Sequence, residues 1–369
     1  MKIKDLYIGG GEREERREKR REERREKRRE ERRERGERIV LFSLSILLFL
    51  ILFLLNLFYG SVSIPFREIF HILLNPGDES GTYSFIIWGS RMPAAITAGL
   101  TGAALTVTGL LLQTSFRNPL AGPSILGVTS GAGLGVALVM LLFGGSITIG
   151  EYSTGGTMAI LLGALAGSVA VMGLLLLFST WLKSGLMLLI AGIMTGYLTS
   201  SVVTLLNYLT SAEGVRSYAL WGMGSFNSVS TDQLPLYGIT IAVGLGLALL
   251  LMKPLNILLL GDNYARSLGI NMISIRNILL LTTGLLTAVV TAYCGPIGFI
   301  GLAVPHIVSM IFRTADHRVL IPGAIIIGAA IALLCNLLCS LPSDTILPLN
   351  AVTPLIGVPV ILYVILRKR

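Results

Sequence analysis

The side chains able to do chemistry are few in this chain, and most stand alone. His306 ends the run Cys294-Gly-Pro-Ile-Gly-Phe-Ile-Gly-Leu-Ala-Val-Pro-His306 with no second His or Cys at ligand spacing. It reads as a packed, hydrogen-bonded histidine and not as a metal ligand. Cys335 and Cys339 lie four apart on one helix face and read as small packing residues. Beyond the N-terminal segment, Glu68, Asp78, Glu79, Glu151, Glu213, Asp232, Asp262, Asp316 and Asp344 all fall between apolar runs. Proton- or sodium-driven carriers usually bury an ionisable group in the bilayer, and none is visible here. Unwound helices can hold sodium on backbone carbonyls, so an ion-coupled secondary transporter stays as the alternative. There is no Gly-x-x-x-x-Gly-Lys-Ser/Thr phosphate loop either. If transport is driven by ATP, a separate ATPase must grip this chain outside the bilayer.

One stretch is built for such a grip. Gly261-Asp-Asn-Tyr-Ala-Arg-Ser-Leu-Gly269 is a polar island between two apolar runs, within a link from Lys253 to Arg276. A short turn needs only Gly, Pro or Ser; this link is enough for a small helical knob on which a partner docks. Arg91, just before Met92-Pro93, reads as a basic group at a pathway mouth or as an interfacial anchor. In Arg117-Asn-Pro-Leu-Ala-Gly-Pro123 the two prolines forbid a continuous helix. The following Gly127-Val-Thr-Ser-Gly-Ala-Gly133 either lines a narrow passage or packs closely. Gly163/Gly167 and Gly192/Gly196 are small-xxx-small packing pairs. The Cys294–His306 run, with three glycines and two prolines, reads as a broken, re-entrant or shortened helix. Val215–Phe226 reads as a short interfacial helix with Tyr218 and Trp221 at headgroup depth.

The elements that position these residues are set by composition. Hydrophobic residues are 53% of 369, charged residues 14%, and glycines number 42, which together describe an all-α integral membrane protein. Ten spans are expected, at 39–59, 92–115, 121–143, 157–181, 187–208, 235–252, 277–294, 299–312, 320–340 and 353–366. With the N-terminus inside, Arg117, Lys183, Lys253, Arg266, Arg276, Arg313, Arg318 and Arg367-Lys-Arg369 all fall in the cytoplasm. Arg67, Arg91 and Arg216 fall outside, and an odd span count would scramble this partition. Both termini are therefore expected to be cytoplasmic.

Residues 1–38 form a charged, low-complexity tail, and 39–369 the transmembrane body. The octad Glu14-Glu-Arg-Arg-Glu-Lys-Arg-Arg21 recurs at Glu22–Arg29 and, nearly, at Glu30–Arg35. With no apolar residue it cannot bury a face. Residues 12–38 hold 15 Lys/Arg and 11 Asp/Glu, leaving the apolar body sparsely charged, and in an integral membrane protein the net +9 does not point to nucleic acid. The run at Ile39–Tyr59 is too long for a signal peptide, and no small-x-small site follows.

With these residues in view, the chain resembles the FecCD-type permeases of ABC importers for iron–siderophores, haem and cobalamin. The resemblance covers Ile39 to the C-terminus and rests on an ordered set of motifs. They are Ser90-Arg-Met-Pro93, Arg117-Asn-Pro-Leu-Ala121, Leu126-Gly-Val-Thr-Ser-Gly-Ala132, Leu189-Ile-Ala-Gly-Ile193, Leu220-Trp-Gly-Met-Gly-Ser225, Gly261–Gly269, Gly295–His306, Asp316-His-Arg318 and Leu355-Ile-Gly-Val-Pro359. It implies a type II ABC importer permease fold of ten helices in a bacterial inner membrane, working as a homodimer. Two ATPase subunits would sit below it and a substrate-binding protein above. The chain itself would do no catalysis and carry no cofactor or metal, ATP being used by the partner. Gly261, Asp262, Ala265, Arg266 and Gly269 would form the ATPase-docking loop. Asn118, Pro119 and Leu120, with the turn at Ser184 and Leu186, would form the cytoplasmic gate, and Arg91 would meet acidic residues of the binding protein. The sequence departs from the family at Ala94, where relatives often carry a second arginine, and near Ser340. The charged repeat has no family counterpart. Nothing in the sequence names the chelate.

Overall fold

Each of the ten apolar runs holds a helix in the computed structural model, but they differ in length and in how they end. The structure describes residues 33, 35–60, 62–75, 81–142, 146–149, 152–182, 184–269, 271–341 and 347–367. The octad repeat and Asp78, Glu79, Glu151 and Asp344 lie outside the described residues. The chain falls into two units, Met1–Leu47 and Leu48–Arg369. In the first, Arg33 Nε donates to Glu37 Oε1 at 3.2 Å, an i,i+4 pair on an exposed helical surface.

Six helices are long and apolar enough to cross a membrane: α1 (Arg35–Phe58), α3 (Thr82–Phe116), α5 (Thr157–Trp181), α6 (Gly185–Leu209), α11 (Met272–Cys294) and α13 (His317–Ser340). A seventh candidate is bent by 48° between α8 (Leu234–Leu250) and α9 (Met252–Leu258). Three apolar helices are shorter: α4 (Val128–Leu142), α12 (Ile300–Phe312) and α14 (Leu349–Arg367). Between them stand α2 (Phe66–Leu74), α7 (Ala212–Gly222) and α10 (Asp262–Ser267). Among the described residues one antiparallel hairpin, β1 (Ser146–Ile149) with β2 (Tyr152–Gly155), stands between α4 and α5, a small departure from the all-α expectation. Among the described residues the remaining elements are helical, and the chain is a multi-pass membrane protein.

The two largest departures from the expected boundaries are at the second and third spans. The second span begins at Thr82, ten residues before Met92, because the helix runs through Pro93 instead of starting there. Pro93 offers no N–H and its ring crowds the preceding turn, and the backbone widens into a π turn at Ile87–Arg91 immediately before it. The third begins at Val128 and not at 121, since Pro119 and Pro123 hold the intervening residues in turns.

α3 lies at the centre of the second unit and is buried on nearly all sides, packing chiefly on α13, α11 and α12. Its small residues make this possible. A Cβ at Gly102 would run into Gly328 O of α13, and one at Gly109 into Gly301 O of α12. The α4–α5 seam has the same construction, with Gly131 and Gly135 set against Gly167 and Gly163. The Gly163/Gly167 pair is thus a packing pair, as its spacing suggested. Gly192 and Gly196 serve the same purpose for α6 against Leu126 and Gly127. Around the seam, Leu112, Leu126, Val171, Leu175, Leu188 and Leu280 form one apolar core.

The expected break in the helix at Cys294–His306 is present. Gly295 (φ 76°) and Phe299 (φ 65°) turn the chain between α11 and α12. At 13 residues α12 spans only about 20 Å. The α7 helix also forms, but Tyr218 and Trp221 are half-buried against Ala132, Val136 and Ala164 instead of lying in an open interface.

Candidate functional site

The shape of the expected docking segment follows from two glycines. Gly261 (φ 110°) and Gly269 (φ 77°) adopt backbone conformations that side chains disfavour, and they close α10 at both ends. Between them Ala265 is fully buried, while Tyr264, Arg266 and Leu268 are exposed. The helix is thus seated by Ala265 and shows Tyr264 and Arg266. Asn271 then starts α11 by accepting from the amides of Ile273 (3.1 Å) and Ser274 (3.2 Å), an N-cap that fixes where the knob ends.

The expected gate segments lie beside it. Asn118 Oδ1 accepts from Leu120 N at 2.9 Å, closing a tight Asx turn after α3, and His306 Nε2 bonds to Pro119 O at 2.8 Å. Leu120 and Leu186 are both exposed. Ser184 takes the N-cap position of α6 in extended conformation, and Gly185 abuts the Phe116 ring. The structure therefore brings Asn118, Pro119, Leu120, Ser184 and Leu186 to the end of the bundle that carries Gly261–Gly269. A cavity of about 350 Å³ lies among these parts, lined by Ser115, Thr180, Gly185, Leu258, Arg266 and Arg276.

Several residues at this end were not singled out from the sequence. Asn256, on α9, donates through Nδ2 to Asp316 Oδ1 at 2.6 Å. Its Oδ1 accepts from the amide of His317 and from His317 Nδ1, each at 2.8 Å. With Nδ1 as donor to that oxygen, the other ring nitrogen of the buried imidazole, Nε2, pairs with Thr114 Oγ1 at 2.8 Å. Asp316 also caps α13 by accepting from Arg318 N at 2.9 Å. Partial burial by itself would raise the Asp316 pKa, but the bonds from Arg318 N and Asn256, with the Arg318 charge, hold it below the usual carboxylate value. Arg117 Nη2 reaches Leu258 O at 3.2 Å. Across the knob, Arg276 donates from Nε to Ser179 Oγ (3.0 Å) and from Nη2 to Ser179 O (2.5 Å) and Leu182 O (2.9 Å). These are end-of-helix carbonyls of α5, which have no partner within their own helix. Ser179 Oγ donates in turn to Asn277 Oδ1 at 2.7 Å. The signal for these residues was faint: Asn256 is a lone amide in an apolar run, and Asp316-His-Arg318 was noticed only as a motif.

Arg91 stands apart from this cluster. The resemblance implied contact with a binding protein and the residue alone also allowed an interfacial anchor; only 8% of it is exposed. Its guanidinium donates to Leu57 O (2.8 Å), Phe58 O (3.0 Å) and Val62 O, carbonyls at and beyond the end of α1. Gly60 leaves the room, since a Cβ there would meet Arg91 Nε at 2.9 Å. The cation fastens the chain's own backbone, as a basic group at a helix C-terminus does.

Asn350 was missed altogether. Its Oδ1 accepts from Gly298 N (3.1 Å), and its Nδ2 donates to Pro296 O (2.6 Å) and Gly222 O (2.9 Å). It therefore satisfies the unwound backbone between α11 and α12, which lipid would otherwise penalise. Cys294, Cys335 and Cys339 are all buried free thiols.

Comparison with known proteins adds to this geometry. The model of the FecCD transport family matches residues 48–367. The hemin transport system permease protein HmuU of Yersinia pestis is 36% identical over 314 residues, 84% of this chain and 90% of the relative. The vitamin B12 import system permease protein BtuC of Escherichia coli is 35% identical over 298 residues, 80% of this chain and 88% of the relative. A solved metal-chelate type ABC transporter in an inward-facing conformation is 31% identical, with a TM-score of 0.76, covering 89% of this chain and 99% of that one.

Proposed function

We propose, from the premise that the chain belongs to the FecCD transport family, that it carries a bulky metal chelate or corrinoid of the iron–siderophore, haem or cobalamin class into the cell by alternating access. The membership itself makes it the permease subunit of an ABC importer, with the type II permease fold and with ATP hydrolysis left to a separate subunit. Such permeases work with ATPase and substrate-binding partners. The finer reading is a homodimer in a bacterial inner membrane, crossed ten times by each copy, with both termini, the charged tail of residues 1–38 and the docking segment in the cytoplasm. A loaded binding protein releases its cargo into a cavity between the two copies. An ATPase on each docking segment then moves α10, and Asn118–Leu120 and Ser184–Leu186 open and close in response.

The observation that carries this reading is the seated knob: α10 closed by two positive-φ glycines, held by buried Ala265, and set beside both gate segments. It supports a part that receives motion from outside rather than a plain turn. For Arg91 the geometry favours a structural role, so that docking of the binding protein rests on other groups.

The test is co-expression with the cognate ATPase. The full chain is expected to co-purify with the ATPase and to set its rate, and deletion of residues 262–268 is expected to abolish the complex. Uptake driven by an ion gradient alone, without ATP, would sink the reading in favour of an ion-coupled carrier.

A further inference from the structure

The docking segment has two ends, and each is fastened to a different gate segment. On the N-terminal side, α9 holds α13 and α3 through Asn256. That amide binds Asp316 and His317, and His317 binds Thr114, three residues before Arg117. Arg117 itself returns to Leu258 O on α9, and Asn118 follows it directly. On the C-terminal side, Arg276 in the first turns of α11 holds Ser179 O and Leu182 O, and Ser184 lies two residues beyond.

We propose that these two polar grips divide the coupling between them, Asn256 positioning the α3–α4 turn and Arg276 positioning the α5–α6 turn when α10 moves. The proposal rests on the docking reading above and adds the residues that carry motion away from the knob.

Three features support it. First, α9 and α10 are helices of seven and six residues, set off by the 48° bend on one side and by Gly261 and Gly269 on either side of α10. They can tilt as small rigid pieces about those joints. Second, Arg276 and Arg117 end on main-chain carbonyls, so each holds the backbone and not a side chain that could swing away. Third, the bonds are short, and several involve a charged donor or acceptor. They weaken steeply once stretched, so a displaced partner must follow or the grip must break. If the grips were helix caps and nothing more, they would stabilise the fold without discriminating between the two turns.

That difference sets the experiment. Leu120→Cys and Leu186→Cys report on the two turns separately, and the native thiols at Cys294, Cys335 and Cys339 are all buried. The full complex of permease, ATPase and binding protein is labelled with a membrane-impermeant maleimide, with and without ATP and vanadate. This readout needs no knowledge of the chelate. With the grips intact, ATP is expected to change labelling at both positions by roughly tenfold, the change that about 1.4 kcal/mol of population shift produces. Arg276→Gln is expected to remove the response at position 186 and keep it at 120. Asn256→Ala is expected to do the reverse, with ATPase binding retained in both. Where either variant fails to assemble, Ser179→Ala and Thr114→Val loosen the same grips and are expected to reduce the same single response. The inference is overturned if both positions respond normally in both variants. It is equally overturned if each variant abolishes both responses together, or if the milder variants also fail to assemble. No ATP response at either position in the unmutated grips would instead remove the docking and gate reading itself.

Discussion

At the seam between α4 and α5 backbone meets backbone, whereas at the proposed docking end side chains reach across to backbone. Gly131 and Gly135 bring α4 so close to Gly163 and Gly167 that no Cβ fits between the helices. Arg276, Asn256 and Arg117 instead span their gaps with long or branched polar groups. The two constructions suit opposite duties. A glycine seam gains dispersion and shape complementarity over its whole length and has no second arrangement of comparable packing. A grip depends on a few directional bonds between groups that can rotate, so it can hold in more than one geometry. One molecule thus carries a stiff body and an adjustable end, joined where α3, α5, α11 and α13 run from one to the other.

The largest effect is expected where a close glycine contact is broken, at the α4–α5 seam or between α3 and α12. Gly135→Val and Gly109→Val place side-chain carbons against the backbone carbonyls of Gly163 and Gly301, which cannot swing aside. Overpacking costs about 1–3 kcal/mol where side chains can yield, and here the cost should reach or pass the upper end. Thermal unfolding in detergent is the measurement, with Arg276→Gln as the comparison. If the glycine variants melted no lower than Arg276→Gln, the contrast between stiff body and adjustable end would be lost.

How far this could be read from the chain follows from the same contrast. Gly163/Gly167 and Gly192/Gly196 were legible because four-residue spacing puts both members on one helix face. Their partners, Gly131/Gly135 and Leu126/Gly127, were not, because pairing between helices leaves no mark in local spacing. The knob was legible as polar residues between apolar runs, and its two glycines marked its limits. The grips were not, since Asn256 and Arg276 look like ordinary residues near helix ends until their acceptors are known. The contacts of Arg91 were not legible for a related reason. A lone arginine at a helix start suggests an exposed cation, and only the folded chain places Leu57 O, Phe58 O and Val62 O around it. The start of α3 is not legible either, because Pro93 looks like a helix start, whereas a π turn lets the helix run through it.

A smaller effect is expected at Asn350, which belongs to neither construction: a side chain satisfies backbone, as in a grip, but inside the body. Asn350→Ala leaves Gly298 N–H, Pro296 O and Gly222 O without this partner. An orphaned buried group costs about 1–3 kcal/mol, and the half-buried setting argues for roughly 2 kcal/mol in all. Hydrogen exchange should rise at residues 295–300 before it rises in α3. Exchange spread evenly over the body would show that this link is part of the stiff region and not a local clamp.

The smallest effect is expected at Asp316, and it has a sign that can be checked. Its folded pKa lies below the ordinary value: burial alone would raise it, but the bonds from Arg318 N and Asn256 and the Arg318 charge outweigh that. A depressed carboxylate contributes stability that is fully present above its unfolded pKa, about 3.9, and is lost as pH falls through the lower folded value. The complex should therefore loosen at the docking end below about pH 4. Asp316→Asn keeps a side chain that caps helices about as well, so stability at neutral pH should fall by less than ~1 kcal/mol. Its acid-range slope should flatten, and the Leu120→Cys labelling response should lose its pH dependence while the Leu186→Cys response keeps its own. A parallel change at both reporters would tie Asp316 to the body as a whole, and the adjustable end would then begin beyond it, at Asn256.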